Sequence, residues 1–174
     1  EMDFSPTNLP SGGALPSGTV LLQDDFSDPN SGWETGDYDG GSLRYAGGAY
    51  AVVSTQEGRM MWGVANRNFA DLVIDVDATQ IVAPSNDNNG YGVFCRVQPG
   101  STGDGYALLI SGDGYYTIQR ITNGDYEPLV DWTTSGAIRQ GNATNHIRAV
   151  CNGTYLALSV NGVLLAEAND ATYA

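Results

Sequence analysis

The stretch HIRAVCNGTYLALSVNGVLLAEA, residues 146–168, decides the fold class. It holds three short apolar runs, separated by Asn152-Gly153 and by Asn161-Gly162. Asn-Gly pairs tolerate the positive φ that tight hairpins require. The stretch therefore predicts three consecutive antiparallel strands.

The middle run shows the alternation that a strand with one buried face needs. Leu156, Leu158 and Val160 share one face, and the residues between them share the other. Similar runs recur along the chain between Asn-Gly and Asp-Gly pairs, which is typical of an antiparallel sandwich or barrel. Apart from one helical turn at Ser135–Gln140, we predict strands at Val20–Asp24, Ala49–Ser54, Met60–Val64, Leu72–Val82, Tyr91–Gln98, Tyr106–Ser111, Tyr115–Ile121, Leu129–Trp132, His146–Cys151, Tyr155–Val160 and Val163–Ala168.

Composition narrows the choice of partners. The 174 residues include 20 acidic and 7 basic ones, all arginine, which gives a formal net charge of -13. Nucleic acids and anionic membrane surfaces need a basic footprint that this chain lacks. Its apolar runs are also far shorter than the roughly 20 residues of a membrane helix. The charge instead suits cations or neutral partners such as sugars.

The chain divides into an extended arm or linker at residues 1–18, rich in Pro, Gly and Ser, and one β-sandwich domain at residues 19–174. Two cysteines, Cys95 and Cys151, lie in strand-like runs. Two such residues are too few for a structural zinc site, which leaves a disulfide or two buried thiols.

Several segments resemble a known family. LLQDDFSDPNSGW, NNGYGVFCRVQ, YALLISGDGYYTIQR and the run from LVDWTTSG to LLAEAND are similar to bacterial exported domains of the concanavalin A-like lectin/glucanase superfamily. These domains are near relatives of laminin-G-like modules and of 3-keto-disaccharide hydrolase domains. The resemblance implies a jelly-roll sandwich of two antiparallel sheets, an extracellular or cell-surface location, and cysteines at 95 and 151 that face each other.

The resemblance also draws attention to the N-terminal arm. Relatives continue beyond the position of Ala174 with a last strand, and the segment EMDFSP at residues 1–6 looks like that strand. One interpretation is a fragment boundary. The other is strand exchange, in which an arm carrying Met2, Asp3 and Phe4 fills the open edge of another copy.

No catalytic constellation is visible, so we name no catalytic residue and expect binding or assembly rather than catalysis. Asp75 and Asp77 project from one strand face, but they match poorly the opposed carboxylates of a glycosidase and are predicted to be solvated. His146 is the only histidine and no nucleophile elbow accompanies it, so we interpret it as structural.

No cofactor is required by any motif. Acidic loops could hold a structural calcium ion, although their spacing is not that of an EF-hand and no metal ligand is assigned. The candidate loops carry Asp24, Asp25 and Asp28, and Asn86 to Asn89. Solvated turns are the alternative.

Aromatic side chains suggest a sugar site, because rings stack on the apolar faces of pyranoses. We predict a concave ligand site formed by Trp62, Tyr91, Arg96, Tyr106 and Tyr116. The alternative is that these rings pack in the core.

The sequence thus favours a non-catalytic extracellular module that binds glycans or cell-surface material. The first alternative is a self-assembling structural subunit of a filament or surface layer, which uses its arm as a donor strand. The second is a glycoside-cleaving enzyme.

Overall fold

The computed structural model describes residues 18–174, which form two compact units, 18–69 and 70–174. Every regular element is a β-strand, and all pairings are antiparallel. The all-β sandwich prediction is confirmed, with three sheets instead of the expected two. No part of residues 18–174 forms a helix with the length and hydropathy of a membrane span. The single domain expected at 19–174 stays a prediction.

The 18–69 unit holds a three-stranded sheet in the order β1-β2-β3. An aromatic cluster accompanies this sheet: the ring of Tyr50 lies 5.3 Å from that of Trp33, 5.6 Å from Tyr45 and 5.7 Å from Phe26. The Tyr50 hydroxyl donates a hydrogen bond to the carbonyl of Glu34. The strands are β1 (Gly36–Tyr38), β2 (Gly41–Ala46) and β3 (Ala49–Ser54).

Two strand predictions in this unit are wrong. Val20–Asp24 is not a strand, because the loop that it enters is organised by its own carboxylates: Asp24 accepts from the Phe26 amide at 2.8 Å and Asp25 from Ser27 at 3.0 Å. Met60–Val64 is also irregular. The sequence does not predict β1 and β2, because β1 has only three residues and β2 lies between the glycine pairs Gly40-Gly41 and Gly47-Gly48.

The 70–174 unit is a sandwich of two four-stranded sheets. One sheet has the order β11-β10-β9-β4 and the other the order β5-β6-β7-β8. The predicted turn at Ser135–Gln140 is a single turn between β8 and β9, closed by a hydrogen bond from the Ile138 amide to the Ser135 carbonyl. The strands are β4 (Leu72–Thr79), β5 (Gly90–Cys95), β6 (Gly105–Ser111), β7 (Tyr115–Thr122), β8 (Asp125–Thr134), β9 (Thr144–Asn152), β10 (Tyr155–Val160) and β11 (Val163–Asn169).

The core lies between the inward faces of these two sheets. Both sheets contribute every second residue, as the alternation in the sequence predicts. Burial of these side chains contributes on the order of 25 cal/mol per Å² of apolar surface. The buried cluster comprises Cys95, Tyr106, Leu108, Ile110, Ile118, Ile138, Ile147, Ala149, Cys151, Leu156, Leu158, Val160 and Ala166.

The disulfide between Cys95 and Cys151 is confirmed. It joins the last residue of β5 to β9 and therefore crosses from one sheet to the other. Both cysteines are buried.

A second tie joins the end of β11 to the other sheet. The buried Tyr106 hydroxyl donates to Asp170 at 2.6 Å, and Arg120 pairs with the same carboxylate at 2.6 Å. Burial opposes the charge on Asp170, but the hydrogen bonds of Tyr106 and Thr172 and the Arg120 guanidinium outweigh it. Together they lower the pKa of this carboxyl from 3.8 to about 2.

Reduction of the disulfide should destabilise the fold strongly. The bond closes a loop with a sequence separation of 56 residues, and loop-closure entropy at that length corresponds to about 4 kcal/mol. Urea unfolding of the oxidised and reduced protein should differ by that order of magnitude. A difference below about 1 kcal/mol would show that the sheets do not depend on this link.

Acid should remove the contribution of Asp170. Because its pKa is lower in the folded state, its stabilisation is complete above pH 4 and is lost as the pH falls towards 2. D170N should therefore cost about 2 kcal/mol of unfolding free energy at pH 7 and much less at pH 2. D37N removes an exposed carboxylate that pairs with Arg44 and is the matched control. An equal cost of D170N at both pH values would contradict the prediction.

Candidate functional site

The tyrosines predicted to contact a ligand point into the sandwich. Tyr106 is 1% exposed, and its hydroxyl is bonded to Asp170. Tyr91 and Tyr116 pack against the core, and the Tyr91 hydroxyl accepts a hydrogen bond from Asn145 at 3.0 Å. These rings hold the two sheets together, as the core-packing alternative stated.

Arg96 and Trp62 belong to different units, and both are partly buried. The Arg96 side chain is 7% exposed, pairs with Asp71 at 2.7 Å and donates to the Tyr173 carbonyl at 2.9 Å. Trp62 belongs to the 18–69 unit and is partly buried. The structure therefore does not bring the five predicted residues to one place on the 70–174 unit, and their role as ligand contacts stays a prediction.

Asp75 and Asp77 lie on the exposed face of β4, as predicted, and both are paired. Arg148 binds Asp75 at 2.9 Å, while the two ring nitrogens of His146 lie 3.3 Å from Asp75 and 2.9 Å from Asp77. This ladder bridges β4 and β9, so His146 has a structural contact. Both carboxylates therefore have polar partners on β9.

The loops considered for calcium use their carboxylates locally. Asp28 accepts from the Asn30 amide at 2.9 Å, and Asp87 accepts from Gln80 at 3.2 Å. Within residues 18–174, no three His, Cys, Asp or Glu side chains group so that they could hold a metal ion. Calcium binding stays a prediction, as does self-assembly, because Met2, Asp3 and Phe4 lie outside the described residues.

The outward face of the β5–β8 sheet carries a different set of aromatic side chains. Tyr115, Tyr126 and Trp132 are 38%, 42% and 43% exposed. Tyr115 pairs with Thr134 and Tyr126 with Ile121, so the two tyrosines mark opposite ends of the β7–β8 ladder. Six residues of strand separate these ends, which corresponds to about 20 Å. We call Tyr115, Tyr126 and Trp132 the aromatic strip.

Trp132 is fixed in place by the curvature of the sheet. Its indole lies 3.5 Å from the position that a Cβ on Gly90 would occupy, and Leu109 lies 4.0 Å from the same point. A flat sheet would hold β5 and β8, its two edge strands, about 14 Å apart, beyond the reach of an indole. The sheet is therefore concave on this side, and the absence of a side chain at Gly90 leaves room for the ring.

Buried residues of mixed size and polarity lie on the sheet beside the strip. Ala107, Leu109 and Thr117 are buried, and the Thr117 hydroxyl donates to the Val130 carbonyl at 2.7 Å. The amide of Gln119, which is 9% exposed, has no hydrogen bond among residues 18–174. It is a polar group that could pair with a ligand hydroxyl.

The strip could have been found from the sequence by following the strand phase. Cys95 faces inward, so Gly90, Gly92 and Phe94 face outward. The outward residues of β7 are Tyr115, Thr117 and Gln119, the phase opposite to the one that the sequence reading favoured. For Trp132 no such signal exists, because one β7–β8 register shift precedes its position and a second includes it.

Comparisons with known proteins agree on the fold and leave the family open. No family model matches the chain, and no curated protein matches it. Carbohydrate-binding module CBM66 from Bacillus subtilis is similar in structure, with a TM-score of 0.54 and 17% sequence identity over 82% of each chain. This likeness supports the β-sandwich fold.

Gly90→Val should displace the Trp132 ring. The added methyl groups would occupy the space beside the indole, so the near-UV circular dichroism should change while unfolding free energy falls by about 1–3 kcal/mol. Gly136→Val is the control, because a Cβ at that position meets nothing within 4 Å. Identical spectra for G90V and the unmodified protein would show that the ring is not held against Gly90.

Proposed function

We propose that this chain is a non-catalytic extracellular module that binds glycans along the aromatic strip. The carrying observation is the strip itself: three half-exposed rings lie along about 20 Å of one concave sheet face. Aromatic faces stack on the apolar faces of sugar rings, and neighbouring polar groups bind hydroxyls. Gln119 is such a group.

The length of the strip suits an extended sugar chain. A pyranose unit in a glycan spans roughly 5 Å, so a strip of this length could contact several consecutive units. The rigid β7–β8 ladder holds the rings, and Trp132 is already packed beside Gly90. Little side-chain entropy would be lost on binding, which favours affinity.

Two further facts support this proposal. The structurally similar Bacillus subtilis protein is described as a carbohydrate-binding module. The disulfide between Cys95 and Cys151 suits an oxidising compartment, as an exported protein would meet.

Removal of the Trp132 indole should weaken glycan binding without unfolding the protein. W132A should weaken glycan binding by at least about tenfold, since a buried or stacked aromatic contributes about 1–3 kcal/mol to a contact. Y126A should have a smaller effect in the same direction. The measurement is a glycan array, followed by titration calorimetry on its hits with each variant.

Y38A provides the control, because Tyr38 is an exposed tyrosine of the 18–69 unit, 45% exposed, and lies outside the strip. Thermal unfolding of all three variants would show that the fold is retained. An array without hits, or hits that W132A leaves unchanged, would refute the assignment of the strip.

A further inference from the structure

Asp131 places a negative charge directly beside the central ring of the strip. Val130 packs against the core, and Thr133 pairs with Tyr116, which also packs inward. Asp131 and Trp132 lie between these two inward positions, at a bulge where both residues are opposite Thr117 of β7. The Asp131 carboxylate is exposed and has no hydrogen bond or ion pair among residues 18–174.

Within residues 70–174, no cation pairs with this carboxylate. The guanidinium groups of the 70–174 unit are all engaged elsewhere: Arg96 with Asp71, Arg120 with Asp170 and Glu127, Arg139 with the Thr144 carbonyl, and Arg148 with Asp75. Since the whole chain carries a formal charge of -13, an acidic ligand would be repelled at the strip and at long range.

We propose that the aromatic strip selects glycans that carry protonated amino sugars and rejects acidic glycans. This inference rests on the proposed function and adds the ligand class. An ammonium group is attracted to the face of an indole and to a carboxylate, and Trp132 and Asp131 present both within neighbouring residues. The sugar ring that carries the amine supplies the apolar face that stacks on the aromatic strip.

Three matched tetrasaccharides test the charge preference. The probes are a glucosamine tetramer, an N-acetylglucosamine tetramer and a galacturonate tetramer, each titrated at pH 6 and low ionic strength. The glucosamine tetramer should bind about fivefold more tightly than its acetylated form, which is the effect of one opposite charge about 4 Å away in water. The galacturonate tetramer should show no binding.

The variant D131N tests the residue itself. It should remove the preference for the glucosamine tetramer and leave binding of the acetylated tetramer unchanged. D39N makes the same charge change on an exposed carboxylate of the 18–69 unit and should keep the preference. High salt should reduce the preference in the unmodified protein.

The outcomes separate this inference from the proposed function. Equal binding of the acidic and amino tetramers, or a preference that survives D131N, would overturn the inference, while W132A-sensitive binding would leave the strip as the site. Binding of none of the three tetramers would also overturn the inference. In that case the glycan array, with hits that do or do not depend on Trp132, decides the proposed function by itself.

Discussion

The disulfide between Cys95 and Cys151 fixes which residues of the surrounding strands in the 70–174 unit face the core. Because it crosses between the sheets, Cys95 must face inward, and strand alternation then turns Gly90 and Gly92 outward. Residues that are opposite each other in paired strands face the same side of the sheet. Cys95 is opposite Tyr106, and Tyr106 is opposite Arg120, so all three face inward. A slip of one residue anywhere in this series would move the buried side chains to the solvent face. The same constraint therefore decides which tyrosines stabilise the core and which can meet a ligand.

This alternation is interrupted in β8. Its pairing with β7 shifts on both sides of Ile118, so Asp131 and Trp132 are together opposite Thr117. Such irregularities often re-aim side chains at functional surfaces. Here the irregular strand lies at the edge of a concave sheet, where Gly90 on the opposite edge accepts the indole. As a result, a residue with a carboxylate and a residue with an aromatic ring are neighbours in the aromatic strip.

Most charged groups of the unit are engaged in internal pairs, and a few are not. Asp170 and Arg96 are buried in ion pairs that tie the C-terminal segment to the sheets, and burial raises the pKa of Tyr106 to about 12. Asp75 is engaged by Arg148 and His146 of β9. Gln119 and Asp131 are different, since neither side chain has a hydrogen bond among residues 18–174. Because the arginines of the unit form internal pairs, its surface is acidic. An acidic surface suits neutral or cationic sugars better than acidic ones.

Much of the fold follows from the sequence, because hairpin turns and alternation are local properties. The Asn-Gly pairs between residues 146 and 168 determine three strands, and the β9–β11 ladder confirms them. The carboxylate turn at Asp24 and the strands β1 and β2 are not predicted in this way, since backbone capping and long-range pairing outweigh local propensity there. The candidate site was less predictable. The sequence supplied aromatic residues in both strand phases, whereas the direction that each ring faces depends on the inter-sheet disulfide and the β8 register, which exist only in the tertiary structure.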